Sequence, residues 1–224
     1  MCGRISQARN PIEYARILEW ENAGFPPSDA YRHGYNIAPT TNPLVAYPDG
    51  NFRPVRWGYK PFWAREKKMP PAINARVETA AKGPFFRNIF KTGRVIVPAD
   101  GWYEWIVDED KKKTPFFIRL KDRKPMCLAG LTSVREEKDL EDPINGFVIV
   151  TAASDSGMVD IHDRRPLVFT PQDAKIWLDP DTPVEEADLM AHDAMRPVED
   201  FEWFKVSRDV NNVRNEGEYL IEPV

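Results

Sequence analysis

Apolar positions first recur at helical spacing between Asn10 and Glu21. Ile12, Ala15 and the pair Ile17/Leu18 fall on one face there, Asn10 suits the N-cap and Pro11 the first helical position. Gly24 and Pro26-Pro27 are the stop signals. Beyond them the period shortens to brief apolar or alternating runs bounded by turn residues: Leu44–Tyr47, Val55–Tyr59, Val95–Val97, Trp102–Val107, Phe116–Leu120, Met126–Leu131, Phe147–Thr151 and Leu167–Phe169. These predict strands. Thr170-Pro171 opens a helix through about Leu178, Thr182-Pro183 opens another through about Ala194, and Phe201–Val206 reads as a last strand. Lys111–Lys113 and Arg135–Asp142 read as hairpin tips. There is no internal repeat, low-complexity tract or linker. The pattern predicts one α+β domain over residues 1–224, mainly antiparallel, with helices at its periphery.

Composition narrows the class. Of 224 residues, 42% are hydrophobic and 29% charged, as in a soluble globular protein, and the 21 prolines favour turns and short strands over long helices. No apolar run approaches the ~18 residues of a membrane span. The start, MCGRISQARN, has no apolar signal segment, and the two cysteines, Cys2 and Cys127, then fit a reducing cytoplasmic setting rather than a disulfide scaffold.

The net charge of −4 argues against nucleic acid until its distribution is read. Residues 51–94 hold eleven Lys/Arg against only Glu66 and Glu78, so this stretch carries +9 and the rest of the chain −13. Phe52, Trp57, Tyr59, Phe62, Trp63, Phe85, Phe86 and Phe90 interleave the cations. Cations for phosphates and rings for unstacked bases suit a single-strand groove. The same composition also fits a solvated basic face with its rings in the core.

Cys2 is the first chemical candidate. Loss of Met1, which a small second residue favours, would put an α-amine and a thiol on one residue. The α-amine has a reference pKa of about 7.7–8.0 against about 10.4 for lysine, so far more of it is unprotonated at pH 7. Such an amine can form a Schiff base with an aldehyde, and the thiol can then close a five-membered ring. Three segments add groups. In Asn74-Ala75-Arg76-Val77-Glu78-Thr79 an extended chain would put Asn74, Arg76 and Glu78 on one face, suited to phosphate or sugar, or simply to a strand edge with a helix cap. Glu104, among the rings of Trp102, Tyr103 and Trp105, would be desolvated and able to act as acid or base, or else is a surface residue of a strand. His162, beside Arg164 and Arg165, could move protons, or sits in a charged loop. There is no C-x-x-C or H-x-x-x-H, and His33 and His192 stand apart, so no metal site is expected.

Taken in order, MCGRI, YNIAPT, WGYKPFW, INARVET, PADGWYEW, VTAAS, DIHDRRP and VSRDVNNVRN resemble the SRAP family, the abasic-site processing proteins first labelled SOS-response-associated peptidases. The resemblance spans nearly the whole chain. It implies an α+β fold with a β-barrel-like core, and a Cys2 that forms a thiazolidine with the aldehyde of a ring-opened abasic deoxyribose. It implies that Asn74 orients the Cys2 terminus, that Glu104 is the acid/base and that His162 assists ring opening. Arg4 and Arg76 would hold flanking phosphates, and Asn36, Trp63, Trp105, Thr151 and Arg164 would be further DNA contacts. The implied partner is single-stranded DNA with abasic sites, bound by a monomer without cofactor in the cytoplasm or at the nucleoid; a preference for single-/double-strand junctions is left open. A β-lyase activity is chemically natural for a Schiff base. Between Trp63 and Pro70 the chain reads Ala-Arg-Glu-Lys-Lys-Met, longer and more basic than the family pattern, so the ring that meets the bases is open. Two other readings fit the residues: a cysteine hydrolase with an N-terminal nucleophile, self-processing at Met1, and a damaged-DNA binding module that does not need Cys2.

Overall fold

The computed structural model describes residues 2–107 and 111–224. The chain folds as two packed sheets with helices on one outer face. In the first sheet the order is β13 (Phe201–Lys205), β8 (Lys113–Leu120), β7 (Gly101–Val107), β1 (Ile5–Gln7) and β2 (Gly34–Ile37), all antiparallel. The second runs β11 (Arg164–Pro166), β10 (Phe147–Ala153), β9 (Met126–Thr132), β6 (Arg94–Ala99), β3 (Leu44–Ala46) and β4 (Phe52–Pro54). To it β12 (Val168–Phe169) adds on β9, and β5 (Asn74–Arg76) adds parallel to β10. The expected α+β, mainly antiparallel architecture is present. The sheets face one another and are not closed into a barrel.

Side-chain alternation explains the layering. On β6, Val95 and Val97 point between the sheets while Ile96 points to the helices; on β10, Phe147 and Ile149 point inward while Val148 and Val150 point to the helices. Strands covered on both faces read as unbroken apolar runs, which made them visible in the sequence. The helix-side layer is α1 (Pro11–Ile17), α2 (Val77–Ala80), α3 (Arg87–Thr92), α4 (Pro171–Leu178) and α5 (Val184–Asp193), which bury Tyr14, Ala80, Phe90, Trp177 and Ala187. A third apolar cluster, Tyr103, Phe117, Val206, Val210 and Leu220, seals the outer face of the first sheet with the C-terminal segment.

Several expected boundaries move. The first helix ends at Ile17, not Glu21, because Glu19 adopts a left-handed φ of 57°. Val55–Tyr59 is not a strand: Gly58 takes φ 144°, and Trp57 and Tyr59 make only isolated bridges, to Phe147 and Ala72. Extension of the 74–79 run stops at Arg76, where α2 begins, so Glu78 sits on a helix and not on the strand face of Asn74 and Arg76. The 135–142 segment holds a 3-10 turn, Glu137–Glu141, between β9 and β10. The expected tip at Lys111–Lys113 adjoins residues 108–110, which lie outside the described residues, and β8 already begins at Lys113. Among the described residues no helix is long and apolar enough to cross a membrane.

Candidate active site

Cys2 lies just ahead of β1, where the two sheets meet. Backbone pairing of β1 with β7 (Ile5 opposite Trp102, Tyr103 N–H donating to Arg4 C=O at 3.0 Å) runs up to the residue pair nearest Cys2. Asp100 fixes this strand at its other end. Its buried carboxylate accepts from Ala8 N–H at 2.7 Å, Tyr14 O–H at 2.9 Å and Arg9 Nε at 3.1 Å. From the second sheet, Asn74 at the start of β5 donates Nδ2–H to the Cys2 carbonyl at 3.0 Å. One amide thus ties the chain start to the opposite sheet. Its Oδ1 is buried with no hydrogen-bond partner among the described residues, an acceptor left beside Cys2.

Glu104 sits two residues beyond Trp102 on β7, so both side chains point between the sheets. Only 4% of it is exposed, and burial pushes its carboxyl up to about 7. The negative charge of Asp163 raises it further. Burial raises the thiol of Cys2 well above its usual range, and the charge of Glu104 adds to that rise. The thiol is therefore held as S–H at neutral pH, next to a carboxyl that gains and loses its proton there.

His162 precedes β11. Its Nδ1 lies 2.9 Å from the Arg164 N–H and 2.8 Å from an Asp163 oxygen, contacts that call for opposite protonation. Burial lowers the imidazole pKa, which favours the neutral ring with Nδ1 accepting from Arg164 and Nε2 carrying the proton. Asp163, largely exposed, is then a nearby charge rather than an ion-pair partner.

The expected DNA contacts divide into exposed groups and their supports. Arg76 is exposed on β5, and no ion pair holds it among the described residues. Trp63 is 52% exposed and Phe62 78%. The Lys67 ammonium lies 4.6 Å from the Trp63 ring centre, and Phe85 meets that ring edge-on at 5.9 Å. Trp57, Tyr59, Phe52 and Phe90 are in the core, so the basic-aromatic stretch supplies both a surface and an interior. Arg164 forms a two-pronged pair with Glu78, at 2.5 and 3.0 Å, and donates to Thr151 C=O at 2.6 Å. Thr151 and Asn36, expected to touch DNA directly, are 0% and 1% exposed. Each instead supports an arginine, Thr151 holding Arg164 and Asn36 holding Arg4. Trp105 is half-buried, with Arg4 5.5 Å from its ring centre. The role of Asp163 and the C-terminal turn behind Arg4 were not legible beforehand; burial and partner choice have no local signature. The expected loss of Met1 lies outside the described residues. Among those described, no group of three or more His, Cys, Asp or Glu is placed to hold a metal.

Comparison with known proteins bears on the family and the fold. A model of the family described as SOS response associated peptidase (SRAP) matches residues 1–213. The chain is similar to the abasic site processing protein YedK of Escherichia coli (strain K12), 42% identical over 228 residues with 100% of each chain covered. It is 35% identical to the abasic site processing protein YoqW of Bacillus subtilis (strain 168) over 99% of each. Among solved structures, a phage-related protein of Bordetella bronchiseptica aligns with a TM-score of 0.76 at 37% identity over 92% of this chain and 95% of that one. A protein of Bacteroides thetaiotaomicron shares the fold, with a TM-score of 0.82 over 100% of both chains at 21% identity.

Proposed function

Because the chain belongs to the SOS response associated peptidase (SRAP) family, we propose that it processes abasic sites in DNA, and that it does so by capturing the abasic aldehyde on Cys2 of a chain that has lost Met1. The observation that carries this reading is the convergence of Asn74 and Glu104, from two different sheets, on Cys2.

The chemistry follows from the state of each group. The neutral α-amine of Cys2 attacks the aldehyde carbon to give a carbinolamine, with the amine able to donate to the Oδ1 of Asn74, which has no partner among the described residues. The carboxylic acid of Glu104 gives a proton to the departing hydroxyl, which leaves as water, and an iminium remains. The Glu104 carboxylate then takes the proton from the Cys2 thiol, and sulfur bonds to the iminium carbon, closing a thiazolidine. One water is released overall and Glu104 ends protonated, as it began. A thiol pushed up by burial needs a base this close, and a carboxyl near 7 serves as both acid and base at neutral pH. In this scheme His162 assists ring opening by donating a proton from Nε2 to the sugar oxygen. Arg76 and Arg4 take the phosphates on either side of the lesion, and Trp63 and Phe62 stack the unpaired bases. Before ring closure the iminium also acidifies the neighbouring sugar carbon, the route to strand cleavage by β-elimination.

Intact-mass analysis after mixing with single-stranded DNA bearing one abasic site tests the proposal. The expected product is the chain without Met1 plus the oligonucleotide minus one water, absent with undamaged DNA and absent for Cys2→Ala. Full adduct yield from Cys2→Ala sinks the reading. Turnover of a peptide amide without DNA, dependent on Cys2, would favour a hydrolase instead.

A further inference from the structure

Arg4 is two residues from Cys2, yet most of what holds it comes from the other end of the chain. Its Nη1 donates to Asn36 Oδ1 on β2 and to the carbonyl of Val210 at 2.8 Å. Asn36 is almost fully buried, and its Nδ2 is shared among the carbonyls of Asn212 and Asn215, each at 3.0 Å, and of Val210 at 3.3 Å. Asn215 closes the same turn by donating to Asp209 C=O at 2.9 Å. Asn211 accepts from Trp105 Nε1 at 2.6 Å and so fixes the ring against which Arg4 lies. The turn is itself anchored: Val210 and Leu220 are 0% exposed against Tyr103 and Phe117, and Glu216 binds Tyr35 N–H and Arg32.

The electrostatics of this nest are informative. Arg164 is matched by Glu78, but among the described residues no carboxylate pairs with Arg4. Amide and carbonyl dipoles and the Trp105 ring orient it, which fixes the guanidinium without neutralising it. Both bonds use Nη1, and Nη2 makes none among the described residues. A charged fork anchored through one nitrogen, with the other uncommitted and no counter-charge, is arranged to receive an anion.

We infer that the turn formed by residues 207–215 is a working part of the DNA site, and that Asn36 is a positioning residue that joins this turn to Arg4 so that Arg4 grips a phosphate next to the captured sugar. The inference rests on the DNA-binding reading above and adds to it an element from the C-terminal end of the chain. Asn36 does not touch DNA in this arrangement; its effect passes through Arg4.

A double-mutant cycle tests this. Binding of the mature protein to a fluorescent single-stranded oligonucleotide without an abasic site is followed by anisotropy across a salt series. Arg4→Ala and Asn36→Ala should each weaken binding on the order of tenfold, the loss of one charge-assisted contact. Each should flatten the slope of log K against log salt by about 0.7, the share of one phosphate on a single strand. The double variant should be no worse than either single one. Asn211→Ala changes an exposed residue, so folding is not at stake; it should weaken binding several-fold, with no added loss when combined with Arg4→Ala. Additive losses, or an unchanged salt slope in Asn36→Ala, overturn the inference while leaving DNA binding intact. A wild-type protein that does not bind the strand overturns the functional reading itself.

Discussion

Replacing Glu104 with glutamine should make the protein less active and its stability less sensitive to rising pH. A carboxyl ordinarily near 4.5 is held near 7 by burial, so between these values the folded chain keeps a proton that the unfolded chain has lost. Stability falls with rising pH wherever the folded state binds more protons. The contribution is therefore intact below about pH 4.5 and is lost progressively as pH rises to about 7. Over that gap, at about 1.36 kcal/mol per pH unit, the loss is about 3 kcal/mol. Glutamine has no proton to lose, so the difference in unfolding free energy between Glu104→Gln and wild type should rise by about 3 kcal/mol from pH 4.5 to 8. The absolute offset depends on how the amide fits; the slope does not. Urea denaturation at half-unit pH steps, with both proteins verified by mass to start at the same residue, measures it. Subtraction cancels the groups that titrate independently of Glu104, Asp100 among them. A difference that stays flat within about 0.5 kcal/mol would mean that Glu104 titrates as an ordinary carboxylate, and the acid/base role argued from its burial would fall with it. Adduct formation by the same variant should drop by about 10²–10⁴-fold, the usual worth of a positioned proton donor.

Other substitutions separate chemistry from scaffold. Cys2→Ser keeps the amine but loses the better nucleophile, so gel assays should show less stable adduct and more strand cleavage from the same abasic substrate. Trp63→Ala should weaken single-strand binding by about 1–3 kcal/mol, read by anisotropy, with no change in melting temperature. Arg94→Met should do the reverse. Arg94 is buried and donates to the carbonyls of Trp177, Asp179 and Thr182 behind α4, so its loss should cost about 2–4 kcal/mol and lower the melting temperature by roughly 5–10 °C without altering the DNA salt slope. Gly93→Ala should also destabilise, because a Cβ there would stand 1.9 Å from the Thr132 carbonyl oxygen, a backbone atom that cannot move aside; calorimetry reads the loss.

Arg94 also marks where sequence reading stops. In the sequence it is one of eleven cations in a basic stretch, and nothing local separates it from Arg76, which is exposed on β5. The long apolar strands β6, β9 and β10 were legible because both their faces are covered and the pattern is continuous. The three-residue strand β1 was not, because its pairing is set by a partner far along the chain, Ile5 with Trp102; β5 was legible as an extended run, but its pairing of Asn74 with Ile149 was not. Val55–Tyr59 has a strand's composition and is buried, but Gly58 turns the backbone away from a ladder.

The proposed site was legible in the groups assigned to its chemistry and opaque in their supports, and the reason is physical. Glu104 betrays itself by standing among aromatic residues, because desolvation is a neighbourhood property that composition records. Asn36 and Thr151 carry no such mark. A polar side chain is equally at home on a DNA phosphate or on a buried carbonyl, and only tertiary contact decides which. Here it decides for the interior twice. Each buried residue then holds an arginine, one paired by Glu78 and one with no carboxylate partner among the described residues. That difference bears on function. Before Arg164 can take a phosphate, Glu78 must be displaced or share the guanidinium; Arg4 faces no such competitor. Glu78→Gln should therefore tighten single-strand binding through Arg164 and leave the Arg4 contribution unchanged. If the variant binds no tighter at low salt, where such a pair competes most strongly, Arg164 is a structural arginine and the grip on DNA belongs to Arg4 and Arg76.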